Sequence, residues 1–129
     1  DFIALGKLYE DLRRWDEAAR LFESGLEAGL GEEDFHTAVK RLSILQKKRG
    51  SPDKAIPLWE EAAARGHLYA YIELAKFYEH KRRDLEAALQ WTKSARKRAE
   101  RADLPLYVRK HWLAEIDHRL ERLKRKAHL

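Results

Sequence analysis

At 129 residues and 15.2 kDa the chain suits one domain with a modest core, and 44% hydrophobic beside 38% charged residues is a globular rather than a disordered composition. No run of about 18 apolar residues and no basic-then-apolar leader is visible, so neither a membrane-spanning helix nor a secretion signal is expected. The absence of Cys excludes disulfides, thiolate zinc sites and a Cys nucleophile, and fits a reducing, cytoplasmic setting.

With no Met and a helical pattern already running at Asp1, the chain reads as a segment of a longer protein. Its charge-rich, Asn-free and Cys-free usage leans toward a heat-adapted source.

Three units follow one another, at about residues 2–30, 33–66 and 67–101, and share one internal ruler. In the first, Leu5, Gly6 and Tyr9 mark the inner stripe of one helix, and Ala18 and Phe22 mark the stripe of a second. The same offsets give Leu42, Ser43, Gln46, Ala55 and Trp59 in the second unit, then Leu74, Ala75, Tyr78, Ala87 and Trp91 in the third. Small residues let the paired helices approach, and the aromatics fill the space between units, so Phe22, Trp59 and Trp91 are expected to be buried. The step between anchors is uneven, 37 residues and then 32, which places insertions and deletions in the loops.

Helix ends fall at Gly29 and Gly31, at Gly50 and at Gly66, while Ser51 and Pro52 read as an N-cap followed by a first-turn proline. Pro57, about six residues past that cap, is expected to bend its helix by removing one backbone hydrogen bond.

The last segment, about residues 104–127, leaves the ruler but stays helical. Trp112, Leu113, Ile116, Leu120 and Leu123 make one apolar stripe, as a helix covering the open end of a repeat stack requires. The predicted architecture is therefore all-α: a right-handed α-solenoid of three antiparallel helix pairs plus a C-terminal capping helix.

These residues resemble the tetratricopeptide repeat, most closely in "FIALGKLYEDLRRWDEAARLFESGL", where Phe2, Leu5, Gly6, Tyr9, Ala18 and Phe22 stand in that family's order. Ala62, Ala63, Gly66, Ala70, Leu74, Ala75 and Tyr78 are similar to the related SEL-type helical repeat, and Gln46 departs from the aromatic that both families prefer. The resemblance covers roughly residues 2–101 and implies a protein-binding scaffold without catalytic residues or cofactors. One subclass grips a terminal carboxylate with paired Asn and Lys or Arg, and without Asn this chain cannot build that clamp in its usual form.

In repeats of this kind the first helix of each unit lines a concave face. Two residues before and after each anchor are Ile3 and Lys7, Lys40 and Ile44, and Ile72 and Lys76, and neighbouring positions add Arg41, Lys47, Tyr69 and Glu73. The resulting groove is expected to be mixed apolar and basic, suited to an acidic or C-terminal peptide, to another protein, or to another domain of the parent chain.

Charge divides unevenly: residues 1–65 carry 11 basic and 13 acidic side chains, net −2, and residues 66–129 carry 16 and 9, net +7. Lys93, Arg96, Lys97, Arg98, Arg101, Arg122, Lys124, Arg125 and Lys126 form clusters that offer nucleic acid an electrostatic surface, or else are the solvated faces of long helices. The succession of "LWEEAAARG", "YIELAKFYEHKRRDLEAALQWTKSA" and "HRLERLKRK" also resembles the C-terminal helical region of bacterial proteins that begin with a ribonuclease H-like domain. That likeness implies an accessory, nucleic-acid-holding role with the catalytic carboxylates outside this segment.

No metal is expected, because His111 with Glu115, and Asp117 with Glu121, supply two ligands at most where three or four must converge. Ser24, Ser43, Ser51 and Ser94 lack an evident His base. An enzyme is not expected.

Overall fold

The computed structural model of the chain describes residues 1–101 and 103–128, and among these there are helices and turns but no strands. The helices are α1 (Phe2–Asp11), α2 (Trp15–Ala28), α3 (Glu32–Lys48), α4 (Ala55–Ala64), α5 (Leu68–His80), α6 (Leu85–Ala99) and α7 (Leu106–Ala127), with a 3-10 turn at Pro52–Lys54. They group into two compact units, Asp1–Ala62 and Ala63–Leu129.

The turn inside each of the three helix pairs is built the same way. Arg13, Gly50 and Arg83 all have positive φ, and each stands two residues before the next helical element. The residue after each then reaches back to close the preceding helix: Arg14 N donates to Tyr9 O at 2.9 Å, Ser51 N to Gln46 O at 2.8 Å, and Asp84 N to Tyr78 O at 2.8 Å. The acceptors are the ruler's third position, so Gln46 keeps the turn even though it lacks the aromatic ring.

Pro57 does not cost its helix the backbone hydrogen bond expected. The 3-10 turn absorbs Pro52–Lys54 and α4 starts only at Ala55, so Pro57 falls in the first turn of α4, where a backbone N–H has no partner to lose. Ser51 precedes the turn without a side-chain capping bond.

In the first unit Ile3, Ala18, Ala19, Phe22, Ala38, Leu42 and Leu45 form the core, with Tyr9, Trp15, Leu26, Leu30 and Leu58 packed around it. Close approach of α1 to α2 depends on Gly6, since a Cβ there would lie 2.6 Å from a carbon of the buried Phe22 ring. Where the second repeat's ruler carries Gln46, burial is met with polar partners: Gln46 Nε2 donates to Glu23 and its Oε1 accepts from Arg49, both at 3.4 Å. Arg49 also pairs with Asp16 at 2.9 Å and Lys48 lies over the Trp15 ring at 4.3 Å, tying the end of α3 to the start of α2.

In the second unit the core comprises Leu68, Ile72, Ala95, Ala99, Ile116 and Leu120, with Tyr71, Leu89, Leu104, Trp112 and Leu113 against it. Here α7 covers the paired helices as the capping stripe requires, with Ile116, Leu120 and Leu123 buried. The second-helix register differs by one residue from the expected one. Ala88, Thr92, Ala95 and Ala99 are the buried face of α6, whereas Ala87 and Trp91 are only half-buried, Trp91 standing edge-on to Tyr71 with ring centroids 6.1 Å apart. Burial of Thr92 is tolerated because its hydroxyl donates to the Ala88 carbonyl one turn back, at 2.7 Å.

Candidate interaction surfaces

The groove residues expected from the sequence separate into solvent-facing and buried sets. On α3, Lys40, Ile44 and Lys47 succeed one another by four and three residues, so they share one outward face. Ile44 is 51% exposed, a large apolar side chain flanked by cations. Lys47 Nζ sits 5.3 Å from the centre of the buried Trp59 ring, which positions the cation on that face. Arg41 is half-buried and reaches across to Glu10 of α1 at 3.1 Å, and Lys7, one turn before Glu10, is exposed on the same edge of α1.

Ile3 and Ile72 do not face solvent. Ile3 belongs to the first unit's core, and Ile72 of the expected set is 3% exposed, enclosed by Leu68, Ala95, Ala99, Ile116 and Leu120. The reason is α7: the face of α5 assigned to a ligand is the one its own capping helix covers. What α5 presents outward is Lys76, paired with Glu73 at 3.6 Å. Tyr69 is half-buried, and its hydroxyl is pushed up to about 12 by burial and, next, by the Glu73 charge, so it stays a neutral phenol at physiological pH.

The basic clusters are in large part internal ties. Arg96 pairs with Asp117 of α7 and with Glu100 at 3.1 Å. Arg98 donates to both oxygens of Asp103, at 3.0 and 3.2 Å, and to the Gly66 carbonyl at 2.7 Å, while Arg101 approaches the same carboxylate at 4.0 Å. Arg122 and Lys126 both serve Glu79. Among the described residues, Lys93, Lys97, Lys124 and Arg125 are the members of the set that are exposed and carry no ion pair.

Glu79 is the residue that sequence reasoning missed. It sits at the end of α5, 2% exposed, and α7 surrounds it with Arg122, which donates twice, Lys126 at 3.2 Å and Arg119 at 3.7 Å. The Arg122 hydrogen bonds hold its carboxyl down to about 2 against the opposing effect of burial, with Lys126 assisting. A signal was present in the sequence: Glu79 continues the stripe Leu68, Ile72, Ala75 at helical spacing, and Arg119, Arg122 and Lys126 repeat along one face of the last helix.

No three His, Asp or Glu side chains converge on a metal-sized site among the described residues, and none of the described helices is long and apolar enough to cross a membrane.

Comparison with known proteins agrees with this geometry. A tetratricopeptide-repeat family model matches residues 2–34. The solved structure of PcrH in complex with the chaperone binding region of PopD superposes with a TM-score of 0.70 over 98% of this chain and 90% of that one, at 19% identity. The fold is that of the tetratricopeptide repeat. In sequence, the uncharacterized protein YprB of Bacillus subtilis (strain 168) is 33% identical over 91 residues, 67% of this chain. The chain spans 22% of the length of YprB.

Proposed function

We propose that this tetratricopeptide-repeat segment is a non-catalytic, protein-binding module, and that the first unit takes an acidic peptide on the outer face of α3. The observation that carries the reading is Ile44, half-exposed between Lys40, Arg41 and Lys47, with Lys7 at the edge of α1. Such a face offers one apolar anchor site ringed by cations. A peptide with a single Leu or Ile flanked by Asp or Glu complements it: anchor burial supplies affinity and the charges supply orientation and on-rate. PcrH, which shares the fold, was solved in complex with the chaperone binding region of PopD, which supports a segment of another protein as the class of partner.

The second unit has a different outward chemistry, with Lys76 paired to Glu73 on α5, and adds a polar recognition surface of its own. An accessory nucleic-acid-holding role beside a ribonuclease H-like domain has less support, because Arg96, Arg98, Arg122 and Lys126 are engaged within the fold.

The test is a fluorescence-anisotropy titration of the chain with a labelled acidic peptide carrying one Leu, against a scrambled-charge control. Ile44→Asp is expected to weaken binding at least about tenfold, equivalent to about 1.4 kcal/mol, without changing the far-ultraviolet circular dichroism. A double variant, Lys40→Glu with Lys47→Glu, is expected to remove the preference for the acidic peptide. Equal affinity of the wild type and Ile44→Asp would sink the assignment of this face.

A further inference from the structure

The first helix carries an apolar stripe that its own unit leaves uncovered. Phe2, Leu5 and Leu8 are 40%, 45% and 51% exposed. Their repeat partners, 37 residues on, are Val39, Leu42 and Leu45 of α3, and these are 0%, 2% and 0% exposed. Three of three positions thus change from half-exposed to buried between two copies of the same repeat helix. Amino-acid type does not separate the two copies, since both are large aliphatic or aromatic side chains. What separates them is the neighbour: Leu42 and Leu45 lie in one cluster with Ala18, Ala19 and Phe22 of α2, the helix pair that precedes them in the chain.

We propose that the Phe2, Leu5 and Leu8 face of α1 is the seat of a further helix pair of the same repeat, lying ahead of α1 in the parent chain. The helix that fits has the stripe α2 presents to α3, two adjacent small residues and an aromatic one turn later. Small residues bring the backbones together and the ring fills the gap between Leu5 and Leu8 equivalents. Repeat arrays obey nearest-neighbour packing, and an end repeat left open carries an apolar face that a terminal cap otherwise makes polar. The second unit shows such a cap in α7, whose outer face is charged beyond its first turn, where Leu106 and Tyr107 are exposed, whereas Leu12, 58% exposed just past the end of α1, continues the line of Leu5 and Leu8. A relative of which this chain spans 22% has the length to supply further repeats. This surface is separate from the α3 face proposed above for peptide binding, and the two readings stand or fall independently.

The experiment compares the 129-residue chain with the parent chain that includes the residues ahead of Asp1. Backbone amides of residues 5–12 are expected to exchange with deuterium at least about tenfold more slowly in the longer chain, because their helix is then covered on both sides. Leu5→Glu with Leu8→Glu is expected to shift the Tm of the 129-residue chain by less than about 2 °C and to lower that of the longer chain by roughly 5 °C or more. Equal shifts in the two chains, or unchanged exchange, would overturn the proposal. So would a 129-residue chain that sediments as a dimer and is returned to monomer by the double substitution, since a second copy would then be the occupant.

Discussion

Glu79 is a carboxylate enclosed by three cations of another helix, and its protonation should report on whether α7 is docked. Its ordinary carboxyl value of 4.5 is lowered to about 2 in the folded chain, chiefly by the Arg122 hydrogen bonds. A group depressed on folding contributes stability that is fully present above its unfolded value and is lost as pH falls from about 4.5 toward about 2. That contribution is about 3 kcal/mol at most. In Glu79→Gln the acid-induced loss of stability over this window should shrink, which urea melts at pH 7, 4 and 3 would detect. At pH 7 the same variant should lose about 2–3 kcal/mol, at or below the bottom of the range of about 3–5 kcal/mol for breaking a buried pair, because Arg122 keeps 37% of its side chain exposed and can turn to water. Gly6 poses a steric question at the same scale. An added methyl would meet the Phe22 ring at 2.6 Å, and that ring is fully buried. Gly6→Ala is therefore expected to destabilise by about 1–3 kcal/mol through overpacking, read as a lowered denaturation midpoint, with helix propensity acting in the opposite direction. A variant as stable as the wild type would mean that α1 and α2 can separate at little cost.

At the scale of elements, the inter-helix turn recurs with its left-handed residue two positions before the next helix, and the residue type there should matter. Gly50 has φ 77°, where a Cβ costs about 1 kcal/mol, so Gly50→Ala should lower the melting temperature by roughly 3–5 °C even though a Cβ would meet nothing within 4 Å. Arg13→Gly and Arg83→Gly relieve the same backbone strain and should be nearly neutral, as relief is offset by the greater freedom of the unfolded chain. A Gly50→Ala variant without loss would show that the turn relaxes out of the left-handed region. The helix pairs were legible in the sequence because Ala18 and Phe22, or Ala55 and Trp59, keep helical spacing and small-to-large alternation that only paired helices use. The third pair was misread by one residue because Ala87 and Ala88 are adjacent and equivalent by eye, and because Thr92 looks like a surface residue until its hydroxyl is seen to satisfy itself on Ala88. Ile72 shows a deeper limit. Spacing says which side of a helix is apolar, but not whether a ligand or the capping helix covers it, and on α5 the capping helix does.

Across the whole molecule, the formal charge of +5 conceals a basic second half in which five of the nine clustered cations are paired within the fold. Sequence alone could list nine clustered Lys and Arg side chains, yet pairing to Glu79, Asp103, Asp117 and Glu100 is a matter of tertiary approach that a linear charge count does not contain. The distinction has a measurable consequence. Nucleic-acid affinity in the absence of base-reading structure comes from counterions released at phosphates, and a cation already paired with a carboxylate releases few. If Lys93, Lys97, Lys124 and Arg125 are the cations available, the logarithm of the association constant for single-stranded RNA should fall with the logarithm of salt concentration with a slope no steeper than about −3. All nine acting together would give a slope near −6. Lys93→Glu with Lys97→Glu should weaken the residual binding and flatten its salt slope by about half or more, and leave the melting temperature within about 2 °C, because both side chains are exposed. Arg122→Glu should do the reverse, placing a second carboxylate against buried Glu79 and loosening α7 whether or not RNA is present. A slope near −6, or RNA affinity that falls with Arg122 while the fold stays intact, would mean that these pairs open to receive phosphate.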